Sequence, residues 1–171
     1  IDHLIALLEL AARERVKDIA IHAVLDGRDK PPQSALPFIA QVEAKLKELG
    51  RGRIATVTGR YFAMDRDKRW DRVERAWRGI VLGEGRKVPN ARAAVEASYA
   101  DGKNDEFVEP SIVGAPHPMA DGDQVICYNF RADRARELTT ALTQTDFKGF
   151  ARPRVPVVSH ETTGFTTLGL S

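Results

Sequence analysis

Three short apolar runs in this chain are each followed at once by a cluster of arginines and aspartates. The runs occupy 20–25, 54–58 and 124–128, and the polar clusters behind them span 26–29, 59–67 and 129–134. A continuous apolar run bounded by turn residues is typical of a buried strand. Because open α/β folds bind ligands where parallel strands end, the pattern predicts that these clusters form a small-anion site at one edge of a sheet.

Segments with helical spacing of apolar residues separate these runs. Helices are predicted over 2–15, 34–49, 70–81, 91–100 and 132–142. Ser34 and Asn90 precede two of them as N-terminal caps. This alternation of strands and helices predicts an α/β fold with three α/β/α layers and a mostly parallel sheet.

Composition narrows the class of protein. The 171 residues contain 26 basic and 24 acidic side chains, a net charge of +2, and the two signs are interleaved. Nucleic-acid binders usually carry a basic stripe with stacking aromatics, so no nucleic-acid partner is expected. No apolar run is long enough to span a membrane, so no membrane partner is expected. The single Cys127 has no partner for an intrachain disulfide and no basic-then-apolar leader opens the chain, so we expect a cytoplasmic location.

The two ends of the chain differ from an ordinary domain. The sequence opens at Ile1, already inside a helical pattern and without an initiator methionine. We therefore expect it to be a piece of a longer protein. At the other end, no helical or strand spacing of apolar residues continues. This segment contains Pro153, Pro156 and a Thr/Gly/Ser-rich stretch from Glu161 to Ser171.

Four collinear blocks resemble a known family. They are LDGRD at 25–29, TGRYFAMDRDKRWDRVERAW at 58–77, DEFVEPSIV at 105–113 and YNFRADRARELT at 128–139. In this order and with this spacing they are similar to the substrate-binding domain of the cofactor-independent (2,3-bisphosphoglycerate-independent) phosphoglycerate mutases. The resemblance implies that 1–150 form this substrate-binding domain and that 151–171 form a divergent tail or hinge segment.

The resemblance implies a function shared between two domains. The family consists of glycolytic isomerases that interconvert 3-phosphoglycerate and 2-phosphoglycerate. Their second, alkaline-phosphatase-like domain holds two manganese ions and a phosphoryl-accepting serine. This chain has only scattered Asp and His residues and no Asp-Ser pair, so we expect neither a metal site nor turnover by the chain alone. We expect a monomer whose natural covalent partner is the missing domain.

The resemblance also maps substrate contacts onto individual residues, which are Arg28, Asp29, Arg60, Arg66, Arg131 and Arg134. Arginine suits phosphate and carboxylate because its planar fork donates paired hydrogen bonds and keeps its charge. Asp29 is the one acid in this set. The resemblance implies that it accepts a hydrogen bond or a proton from a glycerate hydroxyl, and it is the predicted catalytic residue.

The residues alone leave other interpretations open. Arg131 and Arg134 could pair with Asp133 and Glu137 on a solvated helix face. Arg66 could belong to an ordinary charged loop. Asp26-Gly27 is expected to be a turn element, and His22 is expected to be a satisfied core residue.

Two other functions remain open at this point. The chain could be a stand-alone phosphate- or phosphosugar-binding module without catalysis. It could also be a fragment that folds but binds nothing measurable because only half of a cleft is present.

Overall fold

The computed structural model describes residues 1–129 and 131–157, and the backbone alone of 159–162. Of the divergent tail, 158 and 163–171 therefore lie outside the described residues. The helices and strands are, in chain order, α1 (Asp2–Arg13), β1 (Ala20–Leu25), α2 (Ala35–Leu49), β2 (Arg53–Gly59), α3 (Arg60–Ala63), α4 (Trp70–Trp77), β3 (Arg86–Val88), α5 (Ala91–Ala100), β4 (Ser111–Val113), β5 (Gln124–Cys127), α6 (Ala132–Thr143) and β6 (Ser159–Thr162). A π-helical turn, Arg78–Leu82, continues α4, and a 3₁₀ turn, Asp105–Phe107, precedes β4.

The main sheet has four strands in the order β1-β2-β4-β3. β1 runs parallel to β2 and β3 runs parallel to β4, whereas β2 and β4 are antiparallel. β2 lies inside the sheet and is buried along nearly its whole length, as its apolar sequence requires. The predicted α/β fold with a mostly parallel sheet flanked by helices is confirmed.

The third predicted strand does not join this sheet. β5 forms where the apolar run predicts it, but within the described residues it pairs in parallel with β6 as a separate two-stranded sheet. The expectation that three strand ends would meet at one edge of a single sheet is therefore wrong. The alternation of apolar runs predicts which segments are strands, but the pairing of strands depends on contacts between distant segments.

Among the described residues, buried side chains form three cores, the smallest of which contains Phe62, Ala63 and Ala76 of α3 and α4. Leu25, Ile54 and Val57 of the sheet pack with buried residues of α1, α2 and α5. Trp77 and Leu142 represent a second core, formed by α4, the π-helical turn and α6. The contact between α4 and α6 positions the start of α6, where the polar cluster at 129–134 lies.

The reversed direction of β4 brings the 3₁₀ turn to the end of β1 and β2. Since β4 is antiparallel to β2, the residues before β4 return to the edge where β1 and β2 finish. The N–H of Gly59 donates to the carbonyl of Val108 at 2.8 Å. A Cβ on Gly27, whose φ is +67°, would lie 2.6 Å from the backbone nitrogen of Glu106, and a Cβ on Gly59 would overlap the carbonyl of Glu106. Both strands therefore require glycine where the turn crosses them.

Asp105 connects this turn to two helices. Its Oδ2 accepts the N–H groups of Ser34 (2.8 Å) and Ala35 (3.0 Å) at the start of α2. Its Oδ1 accepts the hydroxyl of Tyr99 near the end of α5. Burial, followed by the Asp105 hydrogen bond, raises the pKa of Tyr99. A buried carboxylate that accepts several hydrogen bonds satisfies donors that would otherwise be orphaned.

The predicted cap of α2 is therefore wrong, whereas the predicted cap of α5 is confirmed. The hydroxyl of Ser34 donates to the carbonyl of Pro31 instead of accepting from the helix. Asp105, which is distant in sequence, takes the capping role. Asn90 does accept the N–H of Ala93 at 2.8 Å.

His22 is confirmed as a satisfied residue of the sheet. Its Nδ1 lies 2.9 Å from the hydroxyl of Thr56 on β2. Burial, and secondarily His117 and Arg53, lowers the pKa of His22 to about 4. The ring is therefore neutral near neutral pH.

Asp105→Asn tests the connection between the turn and the helices. An amide keeps one acceptor but loses the charge-assisted bonds, so we expect the free energy of unfolding to fall by about 1.5–3 kcal/mol in urea titrations. Asp101→Asn, on the exposed end of α5, should change it by no more than about 0.5 kcal/mol. Equal effects would show that the Asp105 contacts do not stabilise the fold.

Candidate functional site

A cleft of about 270 Å³ opens at the ends of β1 and β2. The start of α6 forms its other wall. The residues that line it are Val24, Asp26, Asp29, Arg60, Met64, Asn129, Arg131 and Arg134. Of the six residues predicted to contact substrate, the structure therefore brings Asp29, Arg60, Arg131 and Arg134 into one cleft.

Arg60 is the buried charge at the base of the cleft. Its side chain is 4% exposed, and its Nη1 donates to Oδ1 of Asp26 at 2.5 Å and to Oδ2 of Asp29 at 2.7 Å. A buried cation needs such partners because its removal from water is unfavourable. Burial opposes the charged form, but the hydrogen bonds that Arg60 donates to the two carboxylates outweigh it, and the pKa of Arg60 is raised. The guanidinium is thus held in place before any ligand arrives.

Asp26 shapes the turn that follows β1. Its Oδ1 accepts the backbone N–H groups of Arg28 (3.2 Å) and Asp29 (3.0 Å) as well as the Arg60 contact. Burial acts to raise the pKa of Asp26, but these hydrogen bonds together lower it. The expected turn role of Asp26 is confirmed, and the structure adds that this carboxylate also holds Arg60.

Asp133 joins two of the predicted arginines. Its Oδ2 accepts from Arg66 Nη1 (2.9 Å) and Arg131 Nη2 (2.9 Å), and its Oδ1 accepts from Arg131 Nε (3.2 Å). The hydrogen bonds of Arg131 and then of Arg66 lower the pKa of Asp133 to about 2. The pairing of Arg131 with Asp133 that the helix spacing allowed does occur, and it places both arginines beside the cleft.

Arg134 differs from its neighbours in having a buried donor without a partner in the described part of the chain. Its Nη1 donates to the carbonyl of Met64 at 3.0 Å. Its Nε is buried and has no hydrogen-bond partner among the described residues. Burial, followed by the nearby charges of Arg60 and Arg66, lowers the pKa of Arg134. A guanidinium that lines a cleft without a carboxylate partner among the described residues favours the binding of an anion there.

Arg28 and Arg66 lie outside the lining set. The side chain of Arg28 is 62% exposed, with its Nη1 3.8 Å from Oε1 of Glu106. The side chain of Arg66 is 44% exposed and is held by Asp133. Both belong to segments that border the cleft, so their predicted contacts with a ligand remain predictions.

Four of the lining residues were not predicted to contact a ligand, and one of them, Asp26, was expected only to form the turn. Asn129 directly follows the 124–128 run, and its position beside two predicted arginines was an available signal. Met64 and Val24 carried no such signal, because an apolar side chain near a strand end or next to a short helix is ordinarily a core residue. Val24 is instead exposed on β1, which lies at the edge of the sheet.

In the part of the chain that the structure describes, no three His, Cys, Asp or Glu side chains come together as metal ligands could. None of the described helices has the length and apolar character needed to cross a membrane.

Comparisons with known proteins assign the family. The family model described as "BPG-independent PGAM N-terminus" matches residues 1–168. The chain belongs to this family. The resemblance stated on the four sequence blocks is thereby confirmed, while the division of the chain at residue 150 stays a prediction.

Relatives of this chain are considerably longer than it is. It is 56% identical over 154 residues to a 2,3-bisphosphoglycerate-independent phosphoglycerate mutase of Symbiobacterium thermophilum, covering 90% of this chain and 30% of that protein. A protein of the same name from Syntrophotalea carbinolica is 52% identical over 157 residues, covering 91% and 30%. The chain thus spans about a third of the length of the curated relatives it matches.

A solved structure shares the fold. It is that of Leishmania mexicana phosphoglycerate mutase at low cobalt concentration, with a TM-score of 0.89 and 37% sequence identity. The match covers 94% of this chain and 32% of that one. The segment described here therefore corresponds in fold to one part of a phosphoglycerate mutase.

Asp26→Asn tests whether the carboxylate of Asp26 stabilises the turn after β1 and the position of Arg60. Because the pKa of Asp26 is lowered in the fold, its stabilising effect is present above the ordinary value of 3.8 and is lost as pH falls through the folded pKa. We expect the variant to unfold at lower urea near neutral pH, by about 1–2 kcal/mol, and this difference to shrink in acid. Asp146→Asn, at an exposed position, is the control; a difference that does not depend on pH would contradict the assignment.

Proposed function

We propose that this chain binds 3-phosphoglycerate and 2-phosphoglycerate as the substrate-binding part of a 2,3-bisphosphoglycerate-independent phosphoglycerate mutase. The observation that carries the proposal is the convergence of Arg60, Arg131 and Arg134 on one cleft. The chain belongs to the family that bears this name. A phosphoglycerate offers a phosphate and a carboxylate, and guanidinium groups bind both through paired charge-assisted bonds.

The paired charges around the cleft prepare it for an anion. Arg60 is held by Asp26 and Asp29, so its orientation does not have to be gained on binding. Arg134 also lines the cleft, and its guanidinium has no carboxylate partner among the described residues. Arg131 is exposed, and its contact with Asp133 leaves its Nη1 without a hydrogen bond to any described residue. Preorganised donors of this kind lower the entropic cost of binding.

Asp29 is suited to a hydroxyl rather than to the anionic groups. Its side chain is 67% exposed, and Oδ2 is occupied by Arg60 while Oδ1 accepts no hydrogen bond from a described residue. A free carboxylate oxygen beside bound glycerate would accept a hydrogen bond or a proton from the hydroxyl that exchanges the phosphoryl group. We propose this role for Asp29, with Arg28 and Arg66 completing the contacts from the border of the cleft.

The remaining chemistry belongs outside this chain. In the proposed enzyme a serine of the second domain carries the phosphoryl group, and two manganese ions held in that domain would stabilise its charge. In this chain, Asp29 and the arginines would hold the glycerate while it reorients and presents its other hydroxyl to the phosphoryl group. As part of glycolysis the enzyme would act in the cytoplasm, and we propose a monomer in which both domains share one polypeptide.

Titration of the chain with 3-phosphoglycerate, followed by amide shifts, tests the binding proposal. We expect a Kd on the order of 0.1–10 mM, weakening with salt because exposed charges are screened. Arg131→Ala should weaken binding by about tenfold or more, whereas the solvated Arg13→Ala should not change it. Equal affinity for inorganic phosphate and 3-phosphoglycerate would favour the stand-alone phosphate-binding module, and no binding would favour the inert fragment.

Asp29→Asn tests the proton-handling role in a chimera in which this chain replaces the matching segment of the Symbiobacterium thermophilum enzyme. Asparagine keeps the size of the side chain but cannot take up a proton, so we expect kcat to fall by roughly 10²–10⁴-fold without a rise in KM.

The unmodified chimera, an Asp146→Asn chimera and the chain alone with added manganese are the references for that assay. The first two should turn over equally, and the chain alone should not turn over. A near-normal kcat for the Asp29→Asn chimera would reduce Asp29 to a positioning residue.

A further inference from the structure

Two buried carboxyl groups lie in contact behind the arginines of the cleft. Asp65 is 5% exposed and Glu137, on α6, is 7% exposed. Glu137 accepts the N–H of Lys68, and Asp65 accepts those of Asp67 and Arg69 on either side of Lys68. Both carboxyls therefore meet at one loop, and each contributes by hydrogen bonding to the pKa shift of the other. Neither residue lines the cleft, and neither is used by the function proposed above.

Asp65 organises the loop that carries Arg66. Its Oδ2 accepts the N–H groups of Asp67 (2.9 Å) and Arg69 (3.0 Å). Its Oδ1 accepts from Nη1 of Arg69 at 3.1 Å, and Nη1 of Arg72 on α4 lies 3.8 Å away. The backbone is therefore wrapped around this one carboxylate.

Glu137 attaches the same loop to α6. Its Oε1 accepts the N–H of Lys68 at 2.8 Å, and Lys68 has a φ of +59°, in the left-handed region. A lysine is unfavourable there and persists only where the surroundings hold it. One turn earlier on α6, Arg134 holds the carbonyl of Met64 and Asp133 holds Arg66. Three successive contacts thus join the helix to the loop.

The close approach of two buried carboxyls requires a proton. Two carboxylates in contact repel each other in a site with little water, so one of them retains a proton and donates it to the other. Oε2 of Glu137 is buried and accepts no hydrogen bond from a described residue, so it is the oxygen free to carry that proton. The donors around Asp65 favour its ionised form.

The other charges that face the pair agree with this assignment. Burial, followed by the charge of Asp65 and then that of Asp67, raises the pKa of Glu137. Burial opposes ionisation of Asp65, but the N–H groups of Arg69 and Asp67 and the Arg69 guanidinium lower its pKa. From α4, Arg72 adds a further positive charge beside Asp65.

We propose that Asp65 and Glu137 share one proton and form a positioning pair, which fixes the 64–69 loop against α6 so that Arg66 and Arg134 are presented together at the cleft. The importance of this pair for ligand binding rests on the function proposed above, whereas its shared proton and its hold on the loop do not. The singly protonated pair is the state that holds the loop against α6. The contribution of the pair to the free energy of unfolding is present below the ordinary glutamate pKa of 4.5, and it is lost as pH rises through the raised pKa of Glu137.

Carboxyl ¹³C NMR of the whole 171-residue chain, from about pH 4 to about pH 9, tests the proton directly. We expect Glu137 to titrate well above exposed Glu43, and the amide of Lys68 to shift over the same pH range, since its acceptor changes charge. Titration of Glu137 together with Glu43 would overturn the proposal.

Three variants separate positioning from simple stability. Glu137→Gln keeps an acceptor for Lys68 and a donor for Asp65 and no longer titrates, so it should preserve protection of the Lys68 amide against hydrogen exchange. Glu137→Ala should speed that exchange by about tenfold or more and weaken 3-phosphoglycerate binding by roughly 10–100-fold. Glu43→Gln should change neither property.

The outcomes distinguish the two proposals. If the wild-type chain binds no 3-phosphoglycerate but Glu137 retains its proton and Lys68 its protection, the proposed function fails and the positioning pair stands. If Glu137→Gln behaves like Glu137→Ala, the shared proton is not what holds the loop, and the proposal fails even where binding is normal. If Glu137→Ala does not fold, the carboxyl titration and the glutamine variant still decide.

Discussion

The buried carboxylate of Asp105 is the interaction on which the rest of this structure depends. It receives the first N–H groups of α2 and the hydroxyl of Tyr99, so it fixes both helices against the turn that carries it. That turn crosses the ends of β1 and β2 where both strands have glycine. The arginine and aspartates of the cleft start from these same strand ends. Their positions are therefore determined by a residue that no ligand would touch.

Most of the charges near the cleft have a carboxylate partner that also orients them. Asp26 and Asp29 hold Arg60, Asp133 holds two arginines, and Asp65 gathers the neighbouring loop. Unpaired arginines at this spacing would repel one another and destabilise the fold. Carboxylates such as Asp133, which accepts from two arginines, reduce this repulsion. They neutralise part of the positive charge and keep the guanidinium groups close together. A ligand would then compete with acids that the protein already supplies.

The elements could be predicted from the sequence, but their partners could not. Apolar runs and helical spacing predicted every described helix except the short α3, since local burial decides these, but they did not predict the short strands β3 and β6. The antiparallel β4, the separate pairing of β5 and the capping of α2 by Asp105 depend on contacts between distant segments. For the site, the four blocks named the residues, yet they did not separate Arg60, which is buried in the cleft, from Arg28, which is largely exposed. Glu137 was considered only as a surface ion-pair partner, because its burial depends on the docking of the 64–69 loop.

The long sequence separation of these contacts bears on how the protein is made. Asp105 caps a helix start 71 positions earlier, and Arg134 reaches the carbonyl of Met64 across 70 positions. The ribosome synthesises β1 and β2 well before Asp105 and Arg134. Until these two residues emerge, the ends of both strands and the 64–69 loop lack the contacts that hold them. Closure of such long loops slows folding, and a nascent segment in this condition is a natural client for chaperones. The cleft can form only after α6 has left the exit tunnel.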